Sequence, residues 1–259
     1  FVEQDNQIDI MVDGDLFTSY IFVDTLTKPI LFPVYTPSGV KVTRSFPFEE
    51  VEGESSDHPH HTGIFFTYDE VNESGFWNNT KFPPQIVLQT IDNTKTGDVG
   101  VISSTAQWIS KDREPLLEEQ RTMTFVPGDK QTSVDFDITL TALADEVVFG
   151  DTKEGMFGIR VAHWLREKDY TGEYLSSEGD TGARNVWGKR AKWVTLEGNK
   201  EGQSAGIAIL NHPESVNYPT FWHARDYGLF AANPLGQFVF QNARGEENPQ
   251  KFELTLEKG

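Results

Sequence analysis

The chain reads as one all-β domain over residues 1–259, a large antiparallel β-sandwich. Three observations predict this class. Short runs rich in Val, Ile, Thr, Phe and Tyr recur along the chain between turn signals. Two of these runs alternate polar and apolar residues, the pattern of a half-buried strand. No segment carries a convincing amphipathic helix longer than two turns.

The expected strands are, in order, Ile8–Val12, Ser19–Val23, Gly100–Trp108, Glu119–Phe125, Thr132–Leu140, Gly158–Ala162, Ala191–Leu196, Ala205–Leu210 and Leu235–Phe240. A further strand-like run, Ile64-Phe65-Phe66-Thr67-Tyr68, follows a polar loop. Alternation is clearest in Gln120-Arg121-Thr122-Met123-Thr124-Phe125 and again from Ser133 to Leu140. Between them, Val126-Pro127-Gly128-Asp129-Lys130-Gln131 has the composition of a hairpin connection. The strand pattern returns in Phe252-Glu253-Leu254-Thr255-Leu256, so the fold is expected to use the whole chain. There is no dinucleotide fingerprint, phosphate loop, nucleophile elbow, internal repeat or low-complexity linker.

Composition removes several functions. The net charge of −18 argues against nucleic acid or anionic lipid as a partner held by a general electrostatic field. No run approaches the ~20 apolar residues of a membrane span. With no cysteine, disulfides, thiolate zinc sites and Cys nucleophiles are all excluded. The chain opens at Phe1 without an initiator Met or an apolar signal segment, and reads as a mature or trimmed chain.

The densest chemical signal is Asp57-His58-Pro59-His60-His61-Thr62-Gly63, which holds three of the six histidines. Imidazole titrates near neutral pH and ligates metals, so crowding of this kind points to a site. The stretch sits where a polar loop feeds a strand, a junction that combines access with rigidity. His58 and His60 alternate, as two metal ligands on a strand would. Pro59 lies between them and no third ligand is evident, so no metal and no cofactor is expected.

Four more segments carry reactive groups. Glu154 and Arg160 flank Gly155-Met156-Phe157-Gly158-Ile159, either as a structural ion pair or as a carboxylate with its orienting cation. The glycine-punctuated loop Ser177–Trp193 brings Asp180, Lys189, Trp187 and Trp193, the tryptophans being either packing groups or a sugar-stacking platform. His212 ends a strand before Pro213, and His223 lies between Trp222 and Arg225. Asn233 is either a loop cap or a ligand contact.

These segments carry a resemblance. Asp57–Phe66 with Gly75–Trp77, Asp151–Arg160, Asn185–Val194 and Asn211–Gly236 are similar to the bacterial family that has been labelled "PmoA family", a domain of unknown function. The resemblance covers nearly the whole chain, through four separated motifs in order. The label refers to a membrane-embedded methane monooxygenase subunit, which a chain without a membrane span does not match. The resemblance implies export to the periplasm or beyond, a neighbourhood of carbohydrate-degradation genes, and a galactose-mutarotase-like sandwich.

The expected function is therefore action on, or binding of, a carbohydrate. Acid-base chemistry on a sugar needs a proton donor and acceptor across the ring. His60, His61, Glu154 and His223 are the expected catalytic groups. His58, Arg160, Lys189, Trp193, His212, Arg225 and Asn233 are the expected substrate contacts. A glycosidase or lyase reaction would use Glu154 and Asp180 as its carboxylates. The alternative is a non-catalytic glycan-binding module of the same fold. Convergence of the histidine stretch, Glu154, Arg160, His212 and His223 on one pocket is expected.

Overall fold

A computed structural model describes every residue from Phe1 to Gly259. In chain order its elements are β1 (Val2–Gln4), β2 (Gln7–Val12), β3 (Asp15–Ile21), β4 (Ile30–Val34), β5 (Ile64–Tyr68), β6 (Gln85–Lys95), β7 (Gly100–Ile109), β8 (Pro115–Val126), β9 (Ser133–Ala142), β10 (Glu146–Phe149) and β11 (Gly155–Arg160). There follow β12 (Glu173–Ser176), α1 (Ala183–Val186), β13 (Trp193–Lys200), β14 (Gln203–Leu210), β15 (Phe221–Ala224), β16 (Leu229–Asn233), α2 (Gln237–Ala243) and β17 (Leu254–Glu257).

The strands form an eight-stranded sheet in the order β1-β2-β3-β4-β5-β11-β16-β15, a four-stranded meander β6-β7-β8-β9, a three-stranded sheet β12-β13-β14 and the pair β10-β17. All paired strands run antiparallel, so the protein is an all-β antiparallel sandwich. No helix is long and apolar enough to cross a membrane.

Period-2 patterning explains the packing. In β8, Leu117, Met123 and Phe125 point inward while Gln120 is exposed. Together with Ile102 of β7, Met123 and Phe125 pack on Ile8, Ile10 and Tyr20 of the large sheet. The same core takes in Ile159, Trp222 and Phe230 from the large sheet and Tyr174, Val194 and Leu196 from the three-stranded sheet. Two charged groups sit inside this interface: Arg121 Nε donates to Glu119 Oε1 at 2.8 Å, and Trp108 Nε1 donates to Glu119 Oε2 at 2.8 Å. The β8–β9 hairpin forms at the expected connection, with Val126 paired to Ser133.

One expected strand is a helix. Most of Leu235–Phe240 belongs to α2. Its N-terminus is held from far away in sequence. Asp151 Oδ2 accepts the N–H of Phe238 at 2.7 Å, and Asp151 Oδ1 accepts that of Val239 at 3.1 Å. These bonds satisfy donors that the first turn of a helix leaves free. A run of apolar residues is ambiguous between strand and helix, and here a distant carboxylate decides it.

Candidate functional site

The site is built on the face of the large sheet that turns away from the main core. Ile30 of β4 pairs with Phe65 of β5, Phe65 with Gly158 of β11, Gly158 with Ala231 of β16, and Ala231 with His223 of β15. Directly paired residues share a face, so these five form one row across five strands. Alternation along β11 brings Met156 and Arg160 to the same face. Gly158 is required here, since a Cβ would lie 2.8 Å from the Phe65 ring and 3.2 Å from that of Trp77. The chain thus leaves room for Trp77 to lie over the sheet.

The histidine stretch is fastened to this face by two buried arginines. Arg44 Nη1 donates to the carbonyls of Ser55 and Asp57 at 3.1 and 2.7 Å. Arg44 Nη2 donates to those of His58 and His61 at 2.9 and 3.0 Å. The loop therefore winds around one guanidinium, whose five fixed donors suit several carbonyls at once. Arg160 is fully buried and donates from Nη2 to Asp57 Oδ1 at 2.7 Å and to Ser55 Oγ at 3.1 Å. Burial pushes the Asp57 carboxyl up, but Arg160, Ser55 and His58 outweigh it and bring it down to about 2.

Four rings stack above the sheet. Tyr227 and His58 lie 5.3 Å apart and nearly parallel, His58 and His61 5.0 Å, and His61 and Phe65 6.0 Å. The Arg160 guanidinium sits 4.7 Å from the Tyr227 ring centre. Burial raises the Tyr227 hydroxyl, against the pull of Arg225 and Arg160.

Hydrogen bonding sets the form of His61. Its Nδ1 lies 3.4 Å from Arg160 Nη1, which can only donate, so Nδ1 accepts and the proton resides on Nε2. That Nε2 is buried and meets no partner. Burial, with His60, Arg160, His58 and Lys28 close by, holds His61 well below the usual imidazole range. Burial and the cations Lys28, Arg44 and Arg160 bring His60 down to about 4. His60 Nε2 and Trp77 Nε1 are likewise buried without partners. Such groups cost free energy unless a ligand or water satisfies them, so their concentration beside His61 makes this end of the face a candidate for holding water or a polar ligand atom.

Lys28 completes this end. It is buried, its Nζ donates to His60 O at 3.1 Å and lies 5.2 Å from the Phe65 ring centre, and burial lowers it to about 7.

The other end is organised around His223. Its Nδ1 donates to Lys153 O at 2.9 Å and its Nε2 accepts from Arg225 Nε at 3.0 Å. Both nitrogens are thus committed and the ring is neutral. Burial, then Arg225 and Lys153, lower it to about 3. Glu154 Oε2 stands 3.9 Å from His223 Nδ1, and Glu154 Oε1 is ion-paired with Lys153. Three strand spacings, ~14 Å, separate β5 from β15. Tyr227 bridges the interval, stacked on His58 and in the fields of both Arg225 and Glu154.

The structure thus gathers His58, His60, His61, Arg160, Glu154, His223 and Arg225 on one face. Glu154 and Arg160 do not pair with each other; their partners are Lys153 and Asp57. No hydrogen bond, ion pair or ring contact ties His212, Lys189 or Trp193 to the group. His212 is exposed, and its Nδ1 accepts the Glu214 N–H at 3.2 Å, closing a turn. Lys189 pairs with Asp180 at 2.5 Å, so Asp180 is not set opposite Glu154. Trp193 lies on β13 opposite Leu210. Asn233 is buried, with Nδ2 donating to Thr152 O at 2.9 Å and Oδ1 accepting from the N–H groups of Leu235 and Gly236. It holds the turn after β16 to the segment before β11.

Sequence reasoning missed Lys28, Arg44, Trp77 and Tyr227. Tyr227 and Trp77 lay inside motifs already singled out, and a search for aromatics near the histidines would have found them. Lys28 and Arg44 carry no local signal. No group of three or more His, Asp or Glu side chains is gathered as a metal site would require.

The fold defines a class, an antiparallel β-sandwich protein, and its largest sheet carries a polar, aromatic-lined candidate site on its outward face. The chain belongs to a family of unknown function (DUF6807), whose model matches residues 7–259. No curated protein and no solved structure matches it.

Proposed function

We propose that the protein is a carbohydrate-active enzyme that uses acid-base chemistry on a sugar or glycoside. The observation that carries this reading is the convergence of Glu154, Tyr227, His61 and Arg160 on one sheet face beside buried N–H groups without partners. Aromatic faces and fixed polar donors side by side suit a pyranose, which has an apolar face and a ring of hydroxyls. The family resemblance seen in the sequence would imply an exported chain of galactose-mutarotase-like architecture, and this reading is consistent with that implication. It extends the proposal to polysaccharide utilisation in the bacterial periplasm or outside the cell.

Roles follow from protonation. Glu154, the half-buried carboxylate, is the proposed base. His61, neutral with its proton on Nε2, is the proposed hydrogen-bond donor to a sugar oxygen. His223 has no free nitrogen and acts by orienting Arg225 and flanking Glu154. Arg160 orients His61 and Asp57 rather than touching substrate.

The test is turnover and binding of a panel of mono- and oligosaccharides by wild type and Glu154→Gln. The substitution keeps the shape and removes the titrating group. Expected is a folded variant that binds sugar but turns it over ~10²–10⁴-fold more slowly. Binding without turnover by either protein would favour the glycan-binding module. Equal turnover by both would remove Glu154 from the chemistry.

A further inference from the structure

We infer that the ligand of this site is an anionic sugar, and that Arg225 receives its carboxylate. This rests on the carbohydrate reading and names the substrate class within it. Arg225 is half-buried and takes part in no ion pair, and its side chain makes one hydrogen bond, through Nε to His223 Nε2 at 3.0 Å. Its guanidinium lies over the Trp187 ring, 5.2 Å from the centroid. The Nε bond and the indole face fix the plane of the group, and both terminal nitrogens are left without partners. A planar fork held in this way matches a carboxylate through two parallel N–H···O bonds.

The support beneath it is itself fixed. His223 is 1% exposed and anchored by Lys153 O, so Arg225 leans on a rigid ring. Trp187 Nε1 is buried beside it without a partner, a further donor for a ligand oxygen. Glu154, a carboxylate on the same face, is ion-paired with Lys153 and forms no ion pair with Arg225.

Charge balance sharpens the point. The chain carries 40 acidic residues against 22 Lys and Arg, so an unpaired cation runs against its overall composition. At the other end of the face Lys28 is also without a carboxylate partner, its contacts being His60 O, Thr27 Oγ1 and the Phe65 ring. The general field of the protein repels anions, and screening confines that repulsion to ~8 Å at physiological salt. A preference for an acidic ligand must then come from a local site.

Calorimetric titration of the full chain with glucuronate and galacturonate, against glucose and galactose, tests this. Expected is ten- to hundredfold tighter binding of a uronate than of its neutral parent, the scale of ~1.5–3 kcal/mol for a charged hydrogen bond. Arg225→Gln should bring the uronate affinity down to that of the neutral parent measured on the same variant, so that the ratio between the two, and with it the preference, disappears. Arg225→Lys, which keeps the charge and loses the fork, should weaken it, and serves where the glutamine variant does not fold. Equal or weaker binding of uronates overturns the inference and leaves the carbohydrate reading standing. Unchanged uronate binding by Arg225→Gln overturns the assignment to Arg225. A sulfated sugar bound more tightly than either uronate overturns the carboxylate assignment. If no sugar binds but citrate does so through Arg225, the carbohydrate reading falls and the anion receptor survives.

Discussion

Arg160 and Asp57 meet at 2.7 Å across 103 positions of sequence, one on a central strand and the other in the loop that carries the histidines. The pair couples the position of His61 to the sheet. The same guanidinium approaches His61 Nδ1 and lies against Tyr227.

Arg160→Met should unsettle that loop. Removing one partner of a buried pair costs ~3–5 kcal/mol, and the partial exposure of Asp57 brings the expected loss to about 2–3 kcal/mol. Arg160→Lys should recover little of it, since one ammonium cannot reach Asp57, Ser55 and His61 together. Urea denaturation checks both, and a loss below 0.5 kcal/mol (roughly the scatter of surface substitutions) contradicts the role.

Acid should destabilise the protein in two stages. His60 is lowered to about 4 and His223 to about 3 from 6.5, so the unfolded chain takes up protons first. Their contribution is present above pH 6.5 and is lost as pH falls through the folded values. Asp57, lowered from 3.8 to about 2, acts in the same direction lower down, its contribution disappearing as pH falls from 3.8 to 2. Denaturation midpoints across pH 3 to 8 should therefore slope downward below pH 6.5. His60→Gln should flatten the upper part of that slope; an unaltered slope would show that His60 is not buried in neutral form.

Lys28 gives the complementary case in the alkaline range. Its folded value near 7, against the usual 10.5, means that burying the charged form costs stability below pH 7. The cost is relieved as pH rises from 7 to 10.5. Wild type should gain stability over that interval from this group, and Lys28→Met, which has no charge to bury, should lack the gain. Parallel pH profiles for the two proteins would refute a buried ammonium.

Gly158→Ala probes the floor of the site. The new methyl would press on Phe65 and Trp77, whose rings are buried and cannot swing aside freely. Overpacking of this kind costs ~1–3 kcal/mol and should redden and quench tryptophan emission as Trp77 is displaced toward water. Wild-type stability and fluorescence in the variant would mean that Trp77 does not rest on Gly158.

The alternation in β8 and β9, the β-branched runs and the hairpin residues at Pro127-Gly128 were legible because strand geometry is local: a period of 2 is written directly in the chain. The histidine stretch, Glu154, Arg160, His223 and Arg225 were legible as chemistry for the same reason, since few residue types carry protons or fix anions. What no sequence pattern reveals is who meets whom. Leu235–Phe240 became helical because Asp151, more than eighty residues earlier, caps it. Asn233 became a turn cap, and His212 and Lys189 stayed with their own turn and ion pair, because partners close to them in the fold engaged them. Lys28, Arg44, Trp77 and Tyr227 joined the site through contacts set by sheet register and by the path of the 55–61 loop. The sequence by itself determined the all-β class, many of the strands, and the histidines, Glu154, Arg160 and Arg225 as candidate reactive groups. Tertiary structure alone decided the pairings, the tautomers of His61 and His223 and the unpaired state of Arg225, because hydrogen bonding and desolvation act through space rather than along the chain.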